Sequence, residues 1–178
     1  MRRNKGITMV ALVITIVMLL VLAGISIRTG NKVIKESQLE NLKTNMLLIK
    51  VKGKEYVENA NFKLGTNIDS ATDKDARIES AKTELKIEQE QQINISDSIL
   101  NGTNIDVSDT SEYIYYYKLS SQNLIDIGLT NVKSDEDNGW YIIKYDVKNV
   151  QVEVYNTKGF ENDENKYYSL TEIQDLNI

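Results

Sequence analysis

Oxygen-donor side chains are concentrated in one short run of the chain. Asp135, Asp137 and Asn138 stand in the run Asp135-Glu136-Asp137-Asn138-Gly139, and carboxylate and amide oxygens beside a glycine are the ligands that Ca²⁺ takes in proteins. The spacing departs from the EF-hand loop, because Asn138 and Gly139 each come one position too early. We therefore take Asp135, Asp137 and Asn138 as candidate calcium ligands, with a solvated turn before a strand as the alternative.

Two residue types that carry much of protein chemistry are missing from the sequence. Neither Cys nor His occurs among the 178 residues, which excludes thiolate and imidazole nucleophiles, structural zinc sites and disulfides. The formal charge of −5, from 26 acidic and 21 basic residues, disfavours nucleic acid, because phosphate neutralisation needs clustered Lys and Arg. The sequence thus predicts no enzymatic activity, no cofactor and no nucleic-acid partner.

An uncharged apolar segment begins almost at the start of the chain. Residues 7–27 would form a helix of about 31 Å at roughly 1.5 Å per residue, enough to cross the core of a bilayer. Arg2, Arg3 and Lys5 precede this segment, and the positive-inside bias mildly favours a cytoplasmic N-terminus. The chain beyond residue 28 would then lie outside the cytoplasm.

The junction before this segment differs from that of an ordinary secretory leader, whose cleavage point lies beyond the hydrophobic region. Lys5-Gly6 followed by Ile7-Thr8-Met9-Val10-Ala11-Leu12 resembles the leader junction of type IV prepilins. The resemblance implies that a prepilin peptidase cuts after Gly6 and that Ile7 becomes the N-methylated mature N-terminus. Residues 1–6 would be the leader peptide, and the mature chain would carry 18 basic and 26 acidic residues, a formal charge of −8.

Ala11 departs from the family pattern. Type IV pilins usually carry Glu at the fifth mature position, where the carboxylate meets the N-terminal amine of a neighbouring subunit. An unpaired carboxylate in hydrocarbon is costly, and Ala11 avoids that cost. Ala11 also cannot make the contact with the N-terminal amine that aligns neighbouring subunits in this family. This fits either a minor or tip subunit, or a divergent Gram-positive, clostridial-type branch whose helices pack through aliphatic residues alone.

Two other interpretations of the apolar segment remain open. It could be a plain signal anchor that is never cut. It could also be a conventional leader cleaved after Ala23, because Val21-Leu22-Ala23 is a tolerable peptidase site.

A helical pattern continues beyond the apolar segment, so residues 28–60 are predicted to form the amphipathic half of the same helix. Apolar or small residues recur there with alternating steps of three and four, which is the spacing of one helical stripe. We expect this stripe to be core. Its members are Leu39, Leu42, Met46, Ile49, Gly53, Tyr56 and Ala60.

Residues 61–178 are predicted to form a globular part that begins with a helix and a loop. The run Ser70-Ala71-Thr72-Asp73 resembles a capping box and predicts a helix to about Gln92, followed by a loop over residues 93–111. The run 113–117, with four tyrosines, predicts a strand with one buried and one solvated face. Ser121 is the expected N-cap of a short helix.

Alternating apolar residues predict an antiparallel hairpin near the C-terminus. Its strands would be residues 140–147 and 150–155, with a third strand over 167–170 and a last short helix capped by Ser169. A hydrophobic helix followed by a small antiparallel sheet resembles the pilin fold. The fold class that we expect is therefore α+β and pilin-like, with the long N-terminal helix packed on the sheet.

The resemblance implies a minor pilin or pseudopilin that assembles through its hydrophobic helix into a surface or secretion-type filament. Its partners would be other pilin-like subunits, the assembly machinery, the prepilin peptidase and the membrane. The chain would cross the cell membrane once before assembly and lie at the cell surface afterwards. The alternative from another class is a membrane-anchored extracellular binding module that does not polymerise.

Overall fold

The computed structural model describes residues 5–65, 71–109, 111 and 113–176. The chain divides into two compact units, one up to Glu40 and one from Asn41 onwards, and we call the second unit the head. The predicted cap at Ser70 and residues 1–4 of the predicted leader lie outside the described residues. The fold combines helices with a four-stranded antiparallel sheet, so the α+β class is confirmed.

In the described residues, four α-helices and four strands follow one another. They are α1 (Lys5–Leu64), α2 (Ala71–Leu85), β1 (Ile114–Leu119), α3 (Ser121–Asp126), β2 (Tyr141–Asp146), β3 (Gln151–Asn162), β4 (Asn165–Ser169) and α4 (Leu170–Gln174). Two 3-10 helices, Gln89–Gln91 and Ser98–Leu100, lie between α2 and β1. The order of strands in the sheet is β1-β2-β3-β4, with every neighbouring pair antiparallel. The sheet is thus a simple meander, because each strand pairs with the next strand along the chain.

α2 is shorter than the sequence pattern predicts, and a local backbone motif explains the difference. Lys86 adopts a left-handed conformation with φ of 52°. The amide of Ile87 then donates to the carbonyl of Lys82, and the amide of Lys86 donates to that of Thr83, which is the Schellman arrangement that ends a helix. The prediction that this helix reaches Gln92 is therefore wrong.

Capping residues fix the two short helices of the head. Ser169 and Glu172 form the capping box of α4, so the predicted cap at Ser169 is confirmed. The cap of α3 is Ser120, which forms a box with Asn123, and the prediction of Ser121 is off by one. Ser121 is instead the first helical residue, and its hydroxyl donates to the carbonyl of Ser134 at 3.1 Å.

The sheet is covered on both faces. In the head, α1 packs on one face, where a Cβ added at Gly53 would lie 2.6 Å from Ile143 Cδ1 and 3.2 Å from Val152 Cγ1. The other face packs against the segment after α2, in a cluster whose buried members are Ile93, Ile105, Val107, Tyr116, Ile142 and Tyr168. Tyr116 and Tyr117 are both buried as a result, so the prediction of one solvated face for β1 is wrong.

The core contains a hydroxyl without a hydrogen-bond partner. Tyr145 is 1% exposed, and its hydroxyl has no partner among the described residues. This hydroxyl lies 3.5 Å from the position that a Cβ would take at Gly53, so the missing side chain at Gly53 leaves room for it. Burial raises the pKa of Tyr145 well above its usual value, and the residue therefore stays neutral.

We expect Tyr145→Phe to leave the free energy of unfolding unchanged or to raise it by up to about 1 kcal/mol. An unsatisfied buried hydroxyl contributes its desolvation cost and no bond, so its removal is not destabilising. The matched control is Tyr168→Phe, because the Tyr168 hydroxyl donates to the carbonyl of Gly102 at 3.2 Å and its loss should cost about 1 kcal/mol. Urea unfolding of both purified variants checks this, and a larger loss for Tyr145→Phe would contradict it.

Candidate assembly surface

The predicted calcium residues lie in a tight turn that precedes β2. Asp135 and Gly139 form an isolated antiparallel bridge. The Asp135 Oδ1 atom accepts hydrogen bonds from the amide and the side-chain nitrogen of Asn138, both at 2.8 Å. These bonds lower the pKa of Asp135. The structure thus brings Asp135 and Asn138 together, but the Asn138 side chain meets the carboxylate through its NH₂ group.

Side chains of β3 donate hydrogen bonds to backbone oxygens of this turn. Lys158 Nζ donates to the carbonyl of Asp137 at 2.8 Å, and Asn156 Nδ2 donates to the carbonyl of Gly139 at 3.3 Å. Within the described part of the chain, no group of three or more Asp and Glu side chains is placed to hold a metal ion. The described contacts of this turn therefore link it to Asn156 and Lys158 of β3.

The predicted processing residues Gly6, Ile7 and Ala11 all lie in α1. Their side chains, like most of those in residues 7–27, lie outside the described set, so cleavage after Gly6 and methylation of Ile7 stay predictions. In the part of the chain that the structure does describe, no helix has the length and the apolar character needed to cross a membrane.

The head portion of α1 buries one side of the helix against the sheet. Most members of the predicted stripe are buried, and Val57 adds to them at 3% exposed, whereas Leu42 and Tyr56 are half-buried. Gly53 sits in the middle of this side and lets the helix approach Ile143 closely. The predicted core stripe of α1 is therefore confirmed in its main part.

The opposite side of the same helix is also apolar, although nothing in the described structure covers it. Leu47 is 51% exposed, Leu48 42%, Val51 54% and Phe62 91%. Phe62 follows Val51 by eleven residues, which is about three helical turns, so these residues share one side of the helix. We call Leu47, Leu48, Val51 and Phe62 the outer face of α1.

Charged residues stand within and beside the outer face. Lys52 Nζ forms an ion pair with Glu55 Oε2 at 3.0 Å, and both side chains are partly exposed. Glu58 and Lys63 are exposed as well. Exposed apolar side chains on one helix side, interspersed with charged residues, are typical of a protein interaction surface.

Our sequence reasoning did not identify the outer face. The spacing of Leu47, Leu48 and Val51, with Phe62 three turns later, contains the information. We overlooked the outer face because the stripe from Leu39 to Ala60 had already explained the apolar residues of this helix as core. A helix with two opposite apolar sides is expected to have two partners.

The described core contains no carboxylate side chain. Every Asp and Glu side chain among the described residues is half-buried or exposed. The buried polar and charged residues there are Arg77, Asn123, Ser134, Asn156 and Ser169. Arg77 donates to Asn61 Oδ1 and to the carbonyl of Gly65, so it ties α2 to the end of α1.

Comparison with known proteins gives no relative of this chain. No family model, no curated protein and no solved structure matches it.

Proposed function

We propose that the chain is a type IV pilin-like subunit, a minor pilin or pseudopilin, that assembles into a surface or secretion-type filament through α1. The observation that carries the proposal is the outer face of α1, an apolar helix surface directly opposite the side that packs on the sheet. The occupant that we propose for this face is the equivalent helix of other pilin-like subunits. The leader-like junction at Lys5-Gly6-Ile7 supports the same proposal independently.

The proposed mechanism is lateral transfer from membrane to filament. A prepilin peptidase cuts after Gly6, Ile7 becomes the N-methylated mature N-terminus, and residues 7–27 hold the subunit in the cell membrane. On assembly the apolar helices exchange lipid contact for helix contact, so apolar burial is retained during the transfer. The head would then lie at the outside of the filament.

The outer face supplies the favourable free energy of this step in the head region. Burying a Leu or Val side chain that was exposed contributes about 1.5–3 kcal/mol. Because Ala11 provides no carboxylate for a neighbouring N-terminal amine, aliphatic contacts of this kind would have to set the packing of the subunits. The partners are other pilin-like subunits and the filament assembly machinery.

Mass spectrometry of the chain isolated from its native membrane tests the processing step. We expect the mature protein to begin at Ile7 with a methylated amine, and to be present in purified filaments. Gly6→Val should abolish cleavage and leave residues 1–6 attached, because the peptidase of this family requires the small residue. The matched control is Ala23→Leu, which removes the small residue of the alternative cleavage site and should leave processing after Gly6 intact.

Two results would overturn the proposal. A chain that still begins at Met1 would be a plain membrane anchor, and a chain that lacks residues 1–23 would be a conventionally secreted protein. Both outcomes would favour a non-polymerising extracellular binding module.

A further inference from the structure

A cleft of about 480 Å³ lies in the head beside the start of β3. Its walls carry lysines from two elements, Lys50 and Lys54 of α1 and Lys144 of β2, together with Asp146 and Glu153. The strand pairing explains why the cleft is open, because β4 pairs with β3 only from Tyr155 onwards. The cleft thus occupies the part of the β3 edge that β4 leaves free.

The two carboxylates of the cleft are already engaged by donors of the head itself. Glu153 Oε1 accepts from the amide of Thr171 at 3.1 Å, and Glu153 Oε2 accepts from the Thr171 hydroxyl at 2.7 Å. Lys50 Nζ also lies 3.5 Å from Glu153 Oε2. Asp146 accepts from the amide and the side chain of Asn149 at 2.9 and 2.7 Å. Each oxygen of these two carboxylates thus already accepts at least one hydrogen bond from the head.

The three lysines of the cleft differ in their partners. Lys54 is exposed and has no hydrogen-bond acceptor or ion-pair partner among the described residues. Lys144 Nζ lies 3.8 Å from the Asp109 carboxylate, at the outer limit of an ion pair, and 5.5 Å from the centroid of the Tyr116 ring. Because the cleft has three lysines against two carboxylates, and Lys54 has no partner among the described residues, the cleft favours an anionic group.

The head carries such a group at the far end of the same strand. The turn between β3 and β4 contains Glu161, Asp163 and Glu164, all exposed and without an ion pair in the described structure. Asp163 comes ten residues after Glu153, which corresponds to roughly 33 Å along an extended strand. This turn is therefore too far away to enter the cleft of its own chain.

We propose that the acidic β3–β4 turn of one copy, residues 161–164, binds in the lysine cleft of a second copy. The contact joins two different patches at opposite ends of the sheet, so it is heterologous and can repeat from copy to copy. Complementary charges of this kind set orientation and association rate more than affinity. The inference rests on the proposed function in one respect, because the second copy is taken to belong to the same filament.

Site-directed cross-linking tests this contact in the full-length chain. Because the protein has no Cys, Gln151→Cys at the cleft and Asn162→Cys at the turn introduce unique thiols and retain every charge. A short bismaleimide reagent applied to the native membrane and filament fraction should give a ladder of dimers and higher multimers with the double variant. Each single variant should give no ladder, and a double variant with Ser96→Cys in place of Gln151→Cys is the matched control.

Charge reversal in the double-cysteine chain shows whether the lysines are responsible. Lys54→Glu with Lys144→Glu should lower the cross-linked fraction about tenfold, since like charges then face each other. Adding Asp163→Lys and Glu164→Lys should restore the ladder. The inference is overturned if the ladder is absent, if the Ser96 control gives the same ladder, or if the reversed and restored chains do not differ.

The outcome is separable from that of the proposed function. Filaments that contain a chain beginning at Ile7 but give no ladder overturn the cleft contact alone. A ladder formed by chains that still begin at Met1 overturns the filament proposal alone. The cleft contact between copies would then still be supported.

Discussion

Gly53→Leu is expected to lower the free energy of unfolding of the head by about 3 kcal/mol or more. A Cβ at this position would already lie 2.6 Å from Ile143 Cδ1 and 3.2 Å from Val152 Cγ1, and both neighbours are buried. The rest of a leucine side chain has no space between α1 and the sheet, and extra volume in a packed core typically costs 1–3 kcal/mol for smaller additions. Urea unfolding of the purified full-length chain, followed by circular dichroism, measures the change.

Gly30→Leu is the matched control for this substitution. Gly30 lies in the same helix, but a Cβ added there meets nothing within 4 Å. Leucine is also a better helix former than glycine by about 0.5–1 kcal/mol, so the control should be neutral or stabilising. A loss at Gly53 no larger than that at Gly30 would contradict the role of Gly53 in the close contact between α1 and the sheet.

The contact at Gly53 shows what a periodic pattern conveys and what it leaves out. Steps of three and four place Met46, Ile49, Gly53 and Ala60 on one side of α1, and this prediction holds because helix geometry is regular. The pattern carries no information about the strand residues that face the helix. That Ile143 and the Tyr145 hydroxyl require the missing side chain at Gly53 follows only from tertiary packing.

The strands were predictable where apolar and polar residues alternate along the sequence. Residues 140–147 and 150–155 predicted the β2–β3 hairpin, and the observed strands are Tyr141–Asp146 and Gln151–Asn162. The second half of β3 escaped prediction because Asn156-Thr157-Lys158-Gly159 has the composition of a turn. In the structure, Asn156 Oδ1 accepts from the amides of Lys158 and Gly159 at 3.0 and 3.1 Å. This local motif lies where the register between β3 and β4 shifts, between Tyr155 and Phe160.

The cover on the second face of the sheet was not predictable from periodicity. The segment between α2 and β1 has almost no regular structure, as its Asn, Ser and Asp content indicates. Its Ile93, Ile105 and Val107 nevertheless pack on Tyr116 and Ile142. Side chains such as Asn94, Asp97 and Asp106 accept hydrogen bonds from amides two residues onward, so local turns rather than a repeating element position the apolar residues.

The candidate surfaces were predictable only in part. The turn at Asp135–Asn138 was found from its composition. In the structure, Asp135 Oδ1 accepts from Asn138, and Asn156 and Lys158 donate to backbone carbonyls of the turn. The lysine cleft combines residues that are about 90 positions apart in the sequence, such as Lys54 and Lys144. Residues of α1 and β2 that come together only through tertiary packing leave no local pattern from which a site could be inferred.

Val51→Glu is expected to lower incorporation of the subunit into filaments by at least about tenfold while leaving the head folded. Val51 is 54% exposed on the outer face, and substitutions at exposed sites usually change stability by less than about 0.5 kcal/mol. In a helix bundle the new carboxylate would be buried without a partner, which costs several kcal/mol, and each 1.4 kcal/mol corresponds to a tenfold change in equilibrium constant. Quantitative immunoblotting of sheared filaments against the membrane fraction measures incorporation.

Thr130→Glu is the matched control for Val51→Glu, because it adds the same charge at an exposed position of a turn remote in sequence from α1. It should leave incorporation unchanged. Val51→Leu, which keeps the apolar character of the outer face, should do the same. If Val51→Glu assembled as well as these two variants, the outer face would not be a helix-packing surface. The apolar residues at positions 47, 48, 51 and 62 would then remain in contact with solvent in the assembled state, and the case for assembly through α1 would rest on the leader junction alone.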